Sequence, residues 1–174
     1  KALIKEFTMK RVGIVMGSDS DMPILKKSMD VLNELGIPFE CHIFSAHRTP
    51  VEARDFALNA RANGFGAIIA AAGMAAHLAG AIAANTTLPV IGIPCKSSVL
   101  DGMDALLSTV QMPTGIPVAT VAINGGANAA LLAAQILSVE DESIRVLLDD
   151  KRRKDAEKVL EKDRLLQEEL NSKN

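Results

Sequence analysis

Aromatic side chains are scarce in this chain of 174 residues, which has no tryptophan, no tyrosine and five phenylalanines. Proteins that bind single-stranded nucleic acid stack its bases on aromatic rings, so one platform for such binding is missing. A surplus of basic charge is missing too, because 19 lysine and arginine residues are balanced by 21 aspartate and glutamate residues. A chain without that surplus has little attraction for a polyanion. We therefore expect no nucleic acid partner.

Long apolar runs are also lacking. None approaches the roughly 20 residues that a membrane-spanning helix needs, and no signal peptide with a small-residue cleavage site is visible. We expect no membrane partner and a cytoplasmic location. One hypothesis is that residues 1–8 are a leader that precedes the natural start at Met9.

Cysteine is limited to Cys41 and Cys95, which lie far apart in apolar segments. We expect both to be buried free thiols in a reducing compartment, with a disulfide as the alternative. No group of Cys, His and Asp has the spacing of metal ligands, so no metal is expected. No serine has a G-x-S-x-G setting, which argues against acyl-enzyme chemistry.

Strand-like and helix-like segments alternate along most of the chain. Strand composition is found at 12–17, 39–44, 66–73, 89–94 and 117–123, and helical patterns at 24–35, 51–63, 75–85, 101–110 and 127–137. The first strand is apolar at both parities, as in a strand buried on both faces, whereas the second alternates like an edge strand. Such alternation is typical of α/β proteins with a parallel sheet. We predict a three-layer αβα sandwich over residues 9–139, flavodoxin-like, with strand order 2-1-3-4-5.

The composition changes from Glu140 onward, where charged residues surround a thin apolar stripe that includes Ile144, Leu148 and Leu166. Residues 140–174 are predicted to be a C-terminal helical extension, either solvated or packed on a neighbouring subunit. The helices before it are rich in alanine, and small side chains bury little area each. A homo-oligomer would bury more, so we predict one.

The loop "GSDSD" leaves the first predicted strand at the edge of the sheet where ligands bind in this architecture. Gly17 permits a tight turn, Ser18 and Ser20 can donate hydrogen bonds, and the following helix start suits a phosphate. A carboxylate such as Asp21 would repel a phosphate but can accept from ribose hydroxyls. The pattern therefore favours a ribose-phosphate site. The alternative is a helix start that Ser20 or Asp21 caps and nothing more.

The loop "SAHRTP" leaves the second strand at the same edge. Arg48 can bind a phosphate with its planar fork, and His47 can carry a proton near neutral pH. A lone histidine is more often structural, but this one stands beside an arginine at the ligand edge. The third loop, "AAGMAAHLAG", brings Gly73 and His77 to the same crevice. A purely structural role for His77, bonded to a backbone carbonyl, stays open.

These motifs, with "DGMDALLSTVQMPTGIPVAT" and "NAALLAAQIL", closely resemble the purine-biosynthesis family of N5-carboxyaminoimidazole ribonucleotide mutases, from about Val12 to Leu137. The resemblance implies an isomerase that moves a carboxylate from the exocyclic nitrogen of its ribonucleotide substrate to a carbon of the imidazole ring. It also implies an octamer with active sites shared between subunits, and no metal, ATP or organic cofactor.

The resemblance further implies that His47 is the catalytic acid and base, while Ser18, Asp21 and Arg48 hold the ribose phosphate. The substrate-binding set that it implies comprises Gly17, Ser18, Ser20, Asp21, Ser45, Ala46, Arg48, Gly73, Ala75, His77 and Leu78. The segment "QMPTGIP" is expected to supply a cover.

The chain departs from the family pattern at two positions, since members usually read "GGAAHLPG" where this chain has Met74 and Ala79. Both departures concern the geometry of the third loop. Related carboxylases that use carbon dioxide directly usually carry "SAHKT" and lack "AAHL", so Arg48 and His77 favour the mutase. Direct carboxylation of aminoimidazole ribonucleotide and a non-catalytic nucleotide-binding module are the alternatives.

Overall fold

The computed structural model describes residues 9–172, so the hypothesis about residues 1–8 lies outside the described residues. Its strands are β1 (Arg11–Met16), β2 (Phe39–Ile43), β3 (Phe65–Gly73), β4 (Val90–Cys95) and β5 (Ala119–Thr120). Its α-helices are α1 (Met22–Glu34), α2 (Pro50–Asn59), α3 (Leu78–Ala83), α4 (Met103–Val110), α5 (Gly126–Leu137) and α6 (Glu142–Ser172).

All five strands run parallel in one sheet with the order β2-β1-β3-β4-β5. The prediction of a flavodoxin-like parallel sheet in the order 2-1-3-4-5 is therefore confirmed. The burial follows from the sequence, because the apolar strands β1, β3 and β4 lie inside and β2, with its mixed composition, lies at an edge.

Helices cover both faces of the sheet and make it the middle of three layers. One face packs against α1 and α5, where Leu25, Leu32 and Ala133 meet β1 residues such as Ile14. The other face packs against α2 and α3 through a second apolar cluster. The αβα sandwich thus has two cores, one on each side of the sheet.

Helices α1 and α5 approach each other unusually closely at Gly126. A Cβ atom at this position would collide with the carbonyl oxygen of Ile24. The buried Ser28 hydroxyl donates to the Gly126 carbonyl oxygen over 2.7 Å and closes the contact. The small residues at the start of α5 therefore have a packing reason.

Strand β5 is much shorter than the predicted 117–123. Only Ala119 and Thr120 pair, with Ile91 and Gly92 of β4, and β5 has no second neighbour because it closes the sheet. Pro117 has no N–H with which to extend the ladder backwards. The other elements agree with the predicted segments apart from shifts at their ends.

Helix α6 begins on its own domain and then leaves it. Asp141 precedes the helix and accepts hydrogen bonds from the Ser143 N–H and hydroxyl, which hold the pKa of Asp141 below its usual range. Ile144 and Leu148 are buried against the domain, and Lys151 pairs with Glu34 of α1 at 3.2 Å. Every described residue from 152 to 172 is exposed.

Both cysteines are free thiols, as expected. Cys95 is buried at the end of β4, but Cys41 is only half-buried, and the expectation of burial is wrong there. The reason is position, since β2 is an edge strand with one neighbour. Among the described residues, the helices are either too short or too polar to cross a membrane.

Candidate active site

The carboxyl ends of β1, β2, β3 and β4 meet at one edge of the sheet. The register aligns them, because Met16 pairs with Ile43 on one side and Ala71 on the other, and Gly73 pairs with Cys95. The loops that follow these strands therefore start side by side, as parallel pairing requires.

The first loop is tied to its neighbouring strand and wound into a short turn. Gly17 N–H donates to the Ala71 carbonyl oxygen over 3.1 Å. A single 3₁₀ turn at Asp19–Asp21 follows, and the Ser18 hydroxyl caps it by accepting from the Ser20 N–H. The predicted cap at Ser20 or Asp21 is wrong, because the extra turn moves the capping position back to Ser18.

Asp21 is the buried carboxylate of this loop, with 8% of its surface exposed. Burial raises its pKa above the ordinary value, and hydrogen bonds from the Cys95 thiol and the Ser18 backbone oppose that shift in part. Burial, and then the Asp21 charge, raises the pKa of Cys95 to about 12. Cys95 therefore stays a neutral thiol beneath the loop.

The second loop is held by Ser45 and Thr49. Ser45 N–H donates to the Thr49 hydroxyl over 2.8 Å, and the Ser45 hydroxyl accepts from the N–H groups of His47 and Arg48. The Arg48 guanidinium donates to the Gly17 carbonyl oxygen over 2.8 Å, which joins the second loop to the first. Both Arg48 and His47 are exposed.

The third loop brings its histidine to the second loop. Nε2 of His47 lies 2.9 Å from Nδ1 of His77, and the rings meet edge to face at 84° with centroids 5.0 Å apart. The partner of His77 is thus another imidazole rather than the backbone carbonyl considered above. One nitrogen donates and the other accepts, so the pair shares one proton.

The loops enclose one cavity of about 630 Å³. Its wall contains every site residue expected from the sequence: Gly17, Ser18, Ser20, Asp21, Ser45, Ala46, His47, Arg48, Gly73, Ala75, His77 and Leu78. Leu78 is 2% exposed and also belongs to the core under α3. The cavity joins an anion-binding arginine, a buried carboxylate and a proton-sharing histidine pair.

The wall also contains four residues that the sequence reasoning did not assign: Ala72, Met74, Lys96 and Ser97. Lys96 and Ser97 follow β4 and so leave the sheet at the same edge as the other loops. The Ser97 hydroxyl oxygen is buried and has no hydrogen-bond partner among the described residues. The signal in the sequence was the polar "KSS" directly after a buried strand, which follows the same rule as the other loops.

The expected cover is elsewhere in the chain. The segment 111–117 precedes β5, and loops that precede parallel strands lie at the opposite edge of the sheet. There Gly115, Ile116 and Pro117 line a second cavity with Asn85 and Leu88. Within one chain this segment does not reach the first cavity. The residues from 9 to 172 bring together no group of three or more His, Cys, Asp or Glu side chains that could hold a metal ion.

Comparison with known proteins agrees with this architecture. The curated N5-carboxyaminoimidazole ribonucleotide mutase of Pyrococcus horikoshii is 54% identical over 151 residues, which cover 84% of this chain and 85% of the relative. A crystal structure of Treponema denticola PurE has a TM-score of 0.82 or close to it in two forms; the unsubstituted form is 32% identical with a TM-score of 0.81 and covers 88% of this chain and 96% of its own.

A longer relative carries a different name. Phosphoribosylaminoimidazole carboxylase of Saccharomyces cerevisiae is 53% identical over 151 residues, or 87% of this chain, and this chain spans 26% of the yeast protein. The sequence model of the family described as AIR carboxylase matches residues 11–158. Since this match extends from β1 into α6 and includes all the loops of the cavity, the chain belongs to the AIR carboxylase family.

Proposed function

We propose that this chain is an isomerase of purine biosynthesis that converts N5-carboxyaminoimidazole ribonucleotide into 4-carboxy-5-aminoimidazole ribonucleotide. The observation that carries the proposal is the His47–His77 pair, bonded at 2.9 Å within a cavity that also holds Arg48 and Asp21. The names of the bacterial and archaeal relatives point to the same reaction.

The first two loops bind the ribose phosphate in this proposal. The Ser18 hydroxyl, the N–H groups of the 3₁₀ turn and the Arg48 guanidinium offer donors to the phosphate. The buried Asp21 carboxylate accepts from ribose hydroxyls, as a charge that repels phosphate should. Gly73 and Ala75 let the backbone of the third loop approach the planar ring. Ser45, Ala46 and Leu78 complete the wall.

Carboxylate transfer then needs one proton to move back and forth. His47 protonates the exocyclic nitrogen, the nitrogen–carboxylate bond breaks with its electron pair left on nitrogen, and carbon dioxide is released in the cavity. The ring carbon attacks the carbon dioxide, and the proton that this carbon loses returns to His47. His77 holds the tautomer of His47 that makes both transfers possible. No metal, ATP or organic cofactor takes part in these steps.

A closed site is needed to retain carbon dioxide, yet His47, Arg48 and His77 are exposed in the single chain. We therefore propose a homo-oligomer, an octamer by family resemblance, in which a second copy covers each cavity. Exposed apolar side chains on α4 support an interface, namely Met103, Leu107 and Val110. The exposed length of α6, 152–172, packs on a neighbouring subunit in the same proposal.

Sedimentation tests this assembly. We expect a species several times the 18.4 kDa of one chain at micromolar concentration, and a smaller one after deletion of 152–174. A monomer at that concentration would contradict the assembly. Location in the cytoplasm is part of the proposal and is supported by the two unpaired thiols.

Direct carboxylation of aminoimidazole ribonucleotide is the second candidate function, because the yeast relative is named a carboxylase. The two reactions separate when purified chain receives either the carboxyamino substrate or aminoimidazole ribonucleotide with bicarbonate. We expect efficient turnover of the first alone at low bicarbonate. Turnover only of the second would replace the mutase with the carboxylase, and turnover of neither would leave a nucleotide-binding module.

A further inference from the structure

The backbone of Met74 is left-handed, with φ of +54°. Two other non-glycine residues among the described ones have positive φ, Asp101 and Asn124. Asp and Asn tolerate this region because their short polar side chains bond locally, as Asn124 does when its Oδ1 accepts from the Lys96 N–H over 2.9 Å. Methionine has no such compensation, so its conformation is strained.

The surrounding loop imposes this conformation. The backbone before it is fixed by close packing, since a Cβ on Gly73 would lie 3.3 Å from the Cys95 carbonyl oxygen. The backbone after it is fixed by the buried Ala76 and by the His77 N–H, which donates to the Ala75 carbonyl oxygen over 2.8 Å. The chain must reverse between β3 and α3 at Met74.

The Met74 side chain also faces the cavity. It contributes to the wall between Gly73 and Ala75, and 63% of its surface is exposed. An apolar side chain gains when a ligand covers it, by about 25 cal/mol for each Å² removed from water. The flexible thioether can follow a planar aromatic surface, with which sulfur makes favourable contacts.

We propose that Met74 positions the aminoimidazole ring and seals the cavity against loss of carbon dioxide. This inference rests on the proposed function. When carbon dioxide has left the nitrogen and before the ring carbon attacks it, a side chain over the ring blocks its escape to solvent. The strained backbone places the thioether over the ring, where a relaxed loop would carry it outward.

Three variants separate the side chain from the strain. Met74→Leu keeps both an apolar wall and the strained backbone, Met74→Ala keeps only the strain, and Met74→Gly loses both. Each is assayed with substrate labelled in its carboxylate, in the presence of unlabelled bicarbonate and carbonic anhydrase, and the label retained in the product is measured. Thermal unfolding is recorded in parallel.

We expect Met74→Leu to retain label and KM close to those of the unsubstituted chain. Met74→Ala and Met74→Gly should both lose label and raise KM roughly tenfold. Met74→Gly alone should relieve the strain and melt about 2–4 °C above Met74→Ala.

Unchanged label retention and KM in Met74→Ala, with normal turnover of the unsubstituted chain, would overturn this inference and leave the proposed function intact. Equal melting temperatures of the alanine and glycine variants would remove strain from it. Absence of turnover in the unsubstituted chain would overturn the proposed function and this inference together.

Discussion

Nε2 of His47 lies 2.9 Å from Nδ1 of His77, so residues from two different loops share one proton. Each loop leaves a different strand, and the parallel sheet brings the two strand ends to one edge. A shared proton fixes which nitrogen of each ring accepts and which donates. The remaining ring nitrogens are thereby prepared for proton transfer.

His47→Asn should abolish proton transfer without removing the cavity. We expect kcat to fall by roughly 10²–10⁴ while the affinity for the product nucleotide changes little, because general acid–base transfer contributes about that much. Steady-state kinetics and calorimetric titration with product measure the two effects. His42→Asn is the matched control, since His42 bonds Glu40 on β2, away from the cavity, and should keep full activity. Normal kcat in His47→Asn would remove His47 from the mechanism.

His77→Asn should act through His47. An amide can still bond the His47 ring but cannot pass a proton on, so we expect a lower kcat, an unchanged KM and a pH profile of kcat altered on the side governed by His47. A change in KM alone would indicate that His77 only contacts substrate.

Arg48→Ala should weaken binding of the phosphate. Charge-assisted hydrogen bonds are each worth about 1.5–3 kcal/mol, which corresponds to a rise in the product dissociation constant of roughly 10- to 100-fold. Arg61→Ala is the control, because Arg61 is exposed and bonds Thr87 at the opposite edge of the sheet. Equal affinities of the two variants would contradict the phosphate assignment.

Asp21→Asn should exchange binding for stability. Burial raises the pKa of Asp21, so its ionised form destabilises the folded state at neutral pH, and that penalty disappears as the pH falls through the folded-state pKa. The variant should therefore melt above the unsubstituted chain at pH 7.5, by a margin that shrinks in acid, and bind product more weakly. Asp19→Asn removes the same charge at an exposed neighbouring position and should change neither property. A margin that grows in acid would contradict the sign of the shift.

Gly126→Ala should destabilise the fold at the contact between α1 and α5. The added methyl group collides with the Ile24 carbonyl oxygen and disturbs the buried Ser28 hydrogen bond. Overpacking of this kind costs about 1–3 kcal/mol, or a fall in Tm of roughly 2–10 °C at this chain length. Asn128→Ala, exposed on the same helix, should leave Tm within about 2 °C. A Gly126→Ala variant as stable as its control would show that α1 and α5 can move apart freely.

The sequence by itself determined the parallel sheet, its strand order and the set of loops that meet at its ligand edge. Apolar runs such as 12–16 can only be strands buried on both faces, and polar residues placed after them must lie where parallel strands end. That rule brought Ser18, His47 and Gly73 to one cavity, and applied to "KSS" it would also have found Ser97.

Only the tertiary structure decided the contacts between those loops. The bond between His47 and His77 joins residues 30 apart, and no local pattern records that distance. The left-handed backbone of Met74 follows from packing against Cys95 on another strand, since a methionine has no intrinsic preference for it. Segment 111–117 likewise lies at the far edge because β5 enters the sheet there, and local sequence does not specify which edge a loop faces until the strand order is set.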